Sequence, residues 1–177
     1  MEQEAIEQNV TDNEPTQEIH GIVEDNEFSD ELLLAVRVKV LRENAKLPTY
    51  ATPQSAGFDF YSAADSVIHL QPGQRIAIPT GLAFAILPGY EVQVRPRSGL
   101  ALNKGLSVIN SPGTIDADFR GEICILLVNL SQEPVTINPG DRIAQGVLAA
   151  VPRAFFLEVD ELDKTDRGNG GFGSTGV

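Results

Sequence analysis

The chain has 177 residues, enough for one domain with a sizeable core and cramped for two. Its formal net charge is −12, yet residues 1–31 hold eleven acidic residues and no Lys or Arg, so the remainder carries only −1. A nearly neutral body argues against a basic nucleic-acid face, and no run approaches the eighteen apolar residues of a membrane-spanning helix.

Residues 1–31 combine acidity with apolar residues at no steady period, the composition of a disordered N-terminal extension. A solvated tail is the bland reading and a protein-recruiting arm the functional one. The segment lacks the basic and apolar regions of a secretory signal and the arginines of a transit peptide. The expectation is a soluble cytoplasmic protein, with the nucleus as the alternative.

From residue 32 to about 160, short β-branched runs alternate with Pro, Gly, Asn and Asp. The expected strands are Leu33–Val40, Val67–Leu70, Arg75–Ile78, Leu82–Leu87, Glu91–Arg95 and Leu106–Ile109. Ile123–Leu130, Val135–Asn138, Arg142–Ala150 and Phe155–Val159 follow, with turns at Gln71-Pro72-Gly73, Leu87-Pro88-Gly89 and Asn138-Pro139-Gly140. Ten or so short strands without a long helical period predict an all-β sandwich or barrel. Ile123–Leu130 is apolar on both faces and needs cover on both, from the core or from a second subunit. The single Cys124 lies in this run, cannot form an internal disulfide, and reads as a small core residue of a protein in a reducing compartment. Residues 161–177 read as a flexible Gly-rich C-terminal arm.

Reactive groups are densest in residues 95–122. Arg97 offers a planar fork of donors for phosphate oxygens, Ser98 a hydroxyl, and Gly99 a backbone N–H with no Cβ in front of it. A short helical turn over Leu100 to Lys104 would aim further amides at the same anion. Asp116 follows the β-branched pair Thr114-Ile115, so a strand end would project its carboxylate, where a general base could take a proton from water. Taken alone, Arg-Ser-Gly is equally a surface turn and Asp116 a turn residue bonding its own backbone.

Three further stretches carry such groups. Ala56–Ala63 is an alternating strand with one acid, Asp59. Gly140–Gln145 is a turn feeding a strand in which Gln145 needs a partner for its amide. Arg167–Gly176 sets one Arg and one Phe among glycines, which suits an arm that orders over a nucleotide, with phosphate at Arg167 and a base under Phe172.

Five stretches in chain order, Ala56–Ala63, Arg97–Gly99, Thr114–Gly121, Gly140–Gln145 and Arg167–Gly176, resemble the five motifs of the trimeric dUTP pyrophosphatases, or dUTPases. The resemblance implies a jelly-roll-like β-subunit in a homotrimer whose sites are each shared by three chains. Motifs one, two and four would come from one chain, motif three from a second and the arm from a third. It implies hydrolysis of dUTP to dUMP and pyrophosphate, limiting uracil in DNA and supplying dUMP for thymidylate synthesis. Asp116 would activate the attacking water. Arg97, Ser98, Gly99, Gln145, Arg167, Gly173 and Ser174 would bind phosphates, while Asn110, Gly113, Thr114, Ile115, Phe119 and Phe172 would bind uracil and deoxyribose. Asp59 would hold the phosphate-binding Arg near a hydrated Mg²⁺ that the substrate phosphates carry, with no direct protein ligand. The hairpin around Leu106 to Phe119 would press on the uracil edge.

The chain departs from the usual pattern twice. Phe119 stands where Tyr is usual, which keeps the ring against deoxyribose and removes the hydroxyl. Gly146 stands where a larger apolar residue is usual, which predicts looser packing there. Two alternatives remain beside this reading: a dCTP deaminase-like enzyme of the same superfamily, and a non-catalytic β-trimer with a protein-binding role.

Overall fold

The computed structural model describes residues 34–174, so the acidic segment 1–31 and the final Thr175 to Val177 lie outside the described residues. Among the described residues are twelve strands and one short helix. In chain order they are β1 (Arg37–Val40), β2 (Thr49–Tyr50), β3 (Phe58–Tyr61), β4 (Ile68–Leu70), β5 (Arg75–Pro79), β6 (Leu82–Ala85) and β7 (Tyr90–Arg95). Helix α1 (Ser98–Lys104) precedes β8 (Leu106–Val108), β9 (Gly113–Ile115), β10 (Cys124–Asn129), β11 (Val135–Ile137) and β12 (Arg142–Ala150).

Every pairing is antiparallel. A five-stranded sheet runs β2-β3-β12-β7-β9, a three-stranded sheet β5-β10-β8, and two strand pairs, β1-β6 and β4-β11, complete an all-β, jelly-roll-like body. The expected Pro-Gly turns fall where the chain reverses, with Gly73, Gly89 and Gly140 at positive φ.

Strand alternation builds the core. Phe58 and Phe60 on β3 point inward, meet each other edge to face at 5.4 Å, and meet Phe84 of β6 at 6.4 and 5.9 Å. Ile78, Ile125, Leu127, Val92 and Ile143 fill the space around them and are almost wholly buried. Removing such side chains from water, at about 25 cal/mol per Å² of apolar surface, is what holds so many short strands together.

Four expectations need correction. Phe155–Val159 forms no strand: it lies beyond the last ladder, and Phe155 and Phe156 are about nine-tenths exposed. β-Propensity is a packing preference, and no strand among the described residues supplies the packing here. Cys124 is not a core residue, because alternation along β10 turns Ile125 and Leu127 inward and leaves Cys124 and Leu126 exposed in the single chain. Burial of its partly covered sulfur pushes the Cys124 thiol up, and the Glu122 charge adds to this, so thiolate chemistry is disfavoured. The stretch from Leu106 to Phe119 is not a ladder-paired hairpin, since β8 pairs with β10 and β9 with β7, in different sheets. Gly146 leaves no slack either. A Cβ there would stand 2.6 Å from Cζ of Phe58 and 2.8 Å from Cε2 of Phe60, so the phenyl rings already occupy the space of a larger side chain.

Candidate active site

The same alternation that sends Phe58 and Phe60 inward sends Asp59, between them, to the opposite face of the sheet. The register then places Asp59 beside Gln145 of β12, and Gln145 beside Arg95 at the end of β7. Two residues past Arg95 stands Arg97. Its Nε lies 2.9 Å from Oδ1 of Asp59, while Nη1 of Arg142 lies 3.2 Å from Oδ2, so one carboxylate braces two guanidinium groups. Asp59 is 7% exposed and both oxygens are engaged. This pairing makes its burial tolerable and pre-sets the direction of both arginines.

Gln145 finds the partner its sequence position demanded: Nε2 donates to the carbonyl of Pro96 at 2.9 Å, fixing the turn from β7 into Arg97. Its Oε1 packs where Gly57 has no side chain; a Cβ on Gly57 would lie 2.6 Å away. Ser98 and Gly99 open α1 and are exposed, and a Cβ on Gly99 would face open space, so the backbone there is accessible. The helix ends at Gly105, φ 61°, whose N–H returns to the carbonyls of Ala101 and Leu100.

Arg97 and Arg142 line a cleft of about 220 Å³ with Leu100, Lys104, Thr136 and Asp141. Three of its ten lining residues are cationic and one, Asp141, is acidic, a net positive charge of the sign that triphosphate oxygens require. Asp116 is elsewhere. It follows the last residue of β9, as its sequence suggested, and lines a separate cleft of about 610 Å³ with Tyr90, Glu91, Asp118 and Arg120. The two clefts share no lining residue. One chain therefore presents an anion clamp and a free carboxylate, but not together.

Of the expected base and sugar residues, Gly113, Thr114 and Ile115 form β9, which runs into Asp116, and Asn110 and Phe119 flank that strand in the chain. Asn110 is exposed with its amide nitrogen against Gly113, 3.0 Å from where a Cβ would be. Thr114 and Ile115 pair with Gln93 and Val92 of β7. Phe119 is half exposed, its ring resting on Gly121, where a Cβ would come within 2.7 Å of Cζ. The arm residues reach neither cleft. Arg167 Nε donates to the carbonyl of Gly170 at 2.9 Å, Ser174 N–H to that of Gly171 at 3.0 Å, and Phe172 is fully exposed next to Gly173 at φ 88°.

Arg142 is the site residue that sequence reasoning missed. Strict alternation puts Arg142 and Gln145 on opposite faces, since they are three apart. A register shift between Arg142 and Ala144 breaks the alternation and brings Arg142 round to Asp59. The only hint in the sequence is a cation at the start of an otherwise apolar strand.

Residues 43–176 match the model of the family described as dUTPase. The chain belongs to the dUTPase family. It is 56% identical over 148 residues to the deoxyuridine 5′-triphosphate nucleotidohydrolase of Caulobacter vibrioides, covering 81% of this chain and 96% of that one. The enzyme of the same name from Syntrophotalea carbinolica is 52% identical over 143 residues, 81% and 97% of the two chains. Among solved structures, a point mutant of the Staphylococcus bacteriophage 80alpha dUTPase with dUpNHpp aligns with a TM-score of 0.73 and 27% identity, over 81% of this chain and 99% of that one. A mutant dUTPase of phage phi11 of S. aureus, whose structure concerns coordination of a structural Mg(II) ion, aligns at 0.67 and 25%, over 74% and 100%. Within this dUTPase chain, no three His, Cys, Asp or Glu side chains of the described residues converge on a metal position. The clamp consists of two guanidinium groups and the carboxylate they occupy, a donor set suited to an anion.

Proposed function

We propose that this dUTPase-family chain hydrolyses dUTP to dUMP and pyrophosphate as a homotrimer. It would thereby limit uracil incorporation into DNA and supply dUMP for thymidylate synthesis. The observation that carries the reading is the Asp59-braced pair Arg97 and Arg142 at the head of a cationic cleft. Arg97, the Ser98 hydroxyl and the Gly99 amide bind phosphate oxygens, joined by Gln145 and, when the arm closes, by Arg167, Gly173 and Ser174. A magnesium ion on the triphosphate would neutralise charge there, with Asp59 as the supporting acid that holds Arg97 and Arg142 beside it.

Asp116 takes a proton from a water as its oxygen forms a bond to the α-phosphorus; the bond from that phosphorus to the bridging oxygen breaks, and pyrophosphate leaves. Asn110, Gly113, Thr114 and Ile115 face the uracil, the Phe119 ring packs on deoxyribose, and Phe172 covers the base. Because the clamp and Asp116 line separate clefts within one chain, the reading requires Asp116 of one subunit to complete the clamp of another, with the arm from the third. The chain is then organised as an N-terminal extension over 1–31, a β-domain over 32–160 and a closing arm over 161–177. The extension is dispensable for hydrolysis and is the segment available to a protein partner.

The test is pyrophosphate release with dUTP, dCTP, dTTP and UTP in Mg²⁺. Turnover of dUTP well above the other three is expected. Ammonia release from dCTP would instead indicate a deaminase, and no turnover of any of the four would remove the enzymatic reading.

A further inference from the structure

The residues between β9 and β10 carry both Asp116 and Phe119, yet Asp116 to Gly121 lie outside every strand. One backbone bond closes their turn, from the N–H of Phe119 to the carbonyl of Asp116 at 3.2 Å. The stronger fastening is a side chain. Arg120 Nη1 donates to the carbonyl of Ala117 at 2.7 Å and to that of Phe119 at 2.9 Å. These are short, charge-assisted bonds that span the turn and set the orientation of the Phe119 peptide. Further along, Glu122 accepts from Arg42 and from the Gly81 N–H, which anchors the far end. The Phe119 ring rests on Gly121 and has no polar atom with which to tether itself. Its position therefore depends on the backbone that Arg120 holds.

We infer that Arg120 is a positioning residue for sugar selection, holding the carbonyls of Ala117 and Phe119 so that the Phe119 ring stands where a 2′-hydroxyl would collide. The inference rests on the proposed contact of Phe119 with deoxyribose and adds the residue that enforces it. Arg120 touches neither sugar nor phosphate in this scheme. Its loss lets the ring swing, which relaxes the rejection of UTP more than it slows dUTP.

The experiment compares kcat/KM for dUTP and UTP in the full-length parent, Arg120→Gln, Arg120→Lys, Phe119→Ala and the double variant Phe119→Ala/Arg120→Gln, with thermal unfolding of each. Arg120→Met, which keeps the aliphatic stem and removes the donors, replaces Arg120→Gln if the latter does not fold. The dUTP to UTP preference is expected to fall by about tenfold in Arg120→Gln, since a site that excludes a hydroxyl by shape discriminates only by one to two orders of magnitude. Arg120→Lys should recover much of it, because an ammonium can still donate to both carbonyls. On the Phe119→Ala background the same Arg120 change should move the preference by less than about twofold, the non-additivity of residues acting through one another. A preference in Arg120→Gln within about twofold of the parent, or an undiminished fall without the Phe119 ring, overturns the inference while dUTP hydrolysis by the parent stands. A parent inert on dUTP overturns the hydrolase reading and the inference with it.

Discussion

Asp59 grips Arg97 through a 2.9 Å ion pair on the face of β3 opposite the core phenylalanines, so the strand that anchors the core also aims the Arg97 guanidinium. Asp59→Asn keeps the volume but removes the charge facing two guanidinium groups. KM for dUTP should rise by about tenfold, because Arg97 loses the brace that fixes its direction. The arginine side chains are 26% and 49% exposed, so solvent screens the pair and the stability loss should be only about 1 kcal/mol. Steady-state pyrophosphate release and urea denaturation measure the two effects; an unchanged KM would detach Asp59 from the function of Arg97.

Asp116→Asn should leave dUTP binding nearly intact and lower kcat by at least about a hundredfold. The amide fills the same space but accepts no proton from the attacking water, and general-base help of this kind is typically worth about 10² to 10⁴. Single-turnover measurements alongside equilibrium binding separate the steps. Turnover within about tenfold of the parent would remove Asp116 from the role of base.

Gly146→Val should destabilise the fold by roughly 1 to 3 kcal/mol, the usual cost of overpacking a filled core. The added carbons meet the rings of Phe58 and Phe60. Phe58→Leu should partly rescue the variant by opening the space, and a double-mutant denaturation series reads the coupling. Additive losses would mean that the two side chains do not compete for the same volume.

Gly146 also illustrates what the sequence could convey. The strand order of residue types, the Pro-Gly turns and the solitary acid of β3 were legible because alternation and turn chemistry are local. That Phe58 fills the space beside Gly146 depends on a cross-strand register, and that Arg142 reaches Asp59 depends on a bulge; neither is visible in one strand's pattern. The exposed face of β10 and the unladdered Phe155–Val159 share a cause: among the described residues their apolar side chains are left wholly or partly uncovered.

Acid should weaken the fold partly through Glu122. Hydrogen bonds from Arg42, at 2.6 and 3.0 Å, hold its carboxyl below the ordinary range against the opposing effect of burial; the Arg42 charge and the Gly81 N–H add to the lowering. A folded-state value below the unfolded one means that this stabilisation is complete above the unfolded value, about 4.5, and is lost as pH falls through the folded one. Between about pH 5 and pH 3 the parent should therefore lose stability more steeply than Glu122→Gln, whose amide does not titrate. Equal slopes in denaturation midpoint against pH would assign the acid sensitivity elsewhere.

The separation of Asp116 from the clamp leads to a complementation test. Take two dead variants: Asp116→Asn, which keeps its arm, and a truncation after Asp166, which keeps Asp116. Each homotrimer is inactive, because every site lacks the base in the first and Arg167 with Phe172 in the second. Co-refolding equal amounts gives about three quarters mixed trimers by random assortment. Around a mixed ring of three, one junction and only one places an intact Asp116 beside an intact arm in the required order, whichever variant is in the majority. Each mixed trimer thus regains one site of three, and about a quarter of parental activity should return. Sites built within one chain would regain none, since every chain carries a defect. A mixture that stays inert, with mixed trimers demonstrated by native mass spectrometry, would defeat the shared site and leave the family membership untouched.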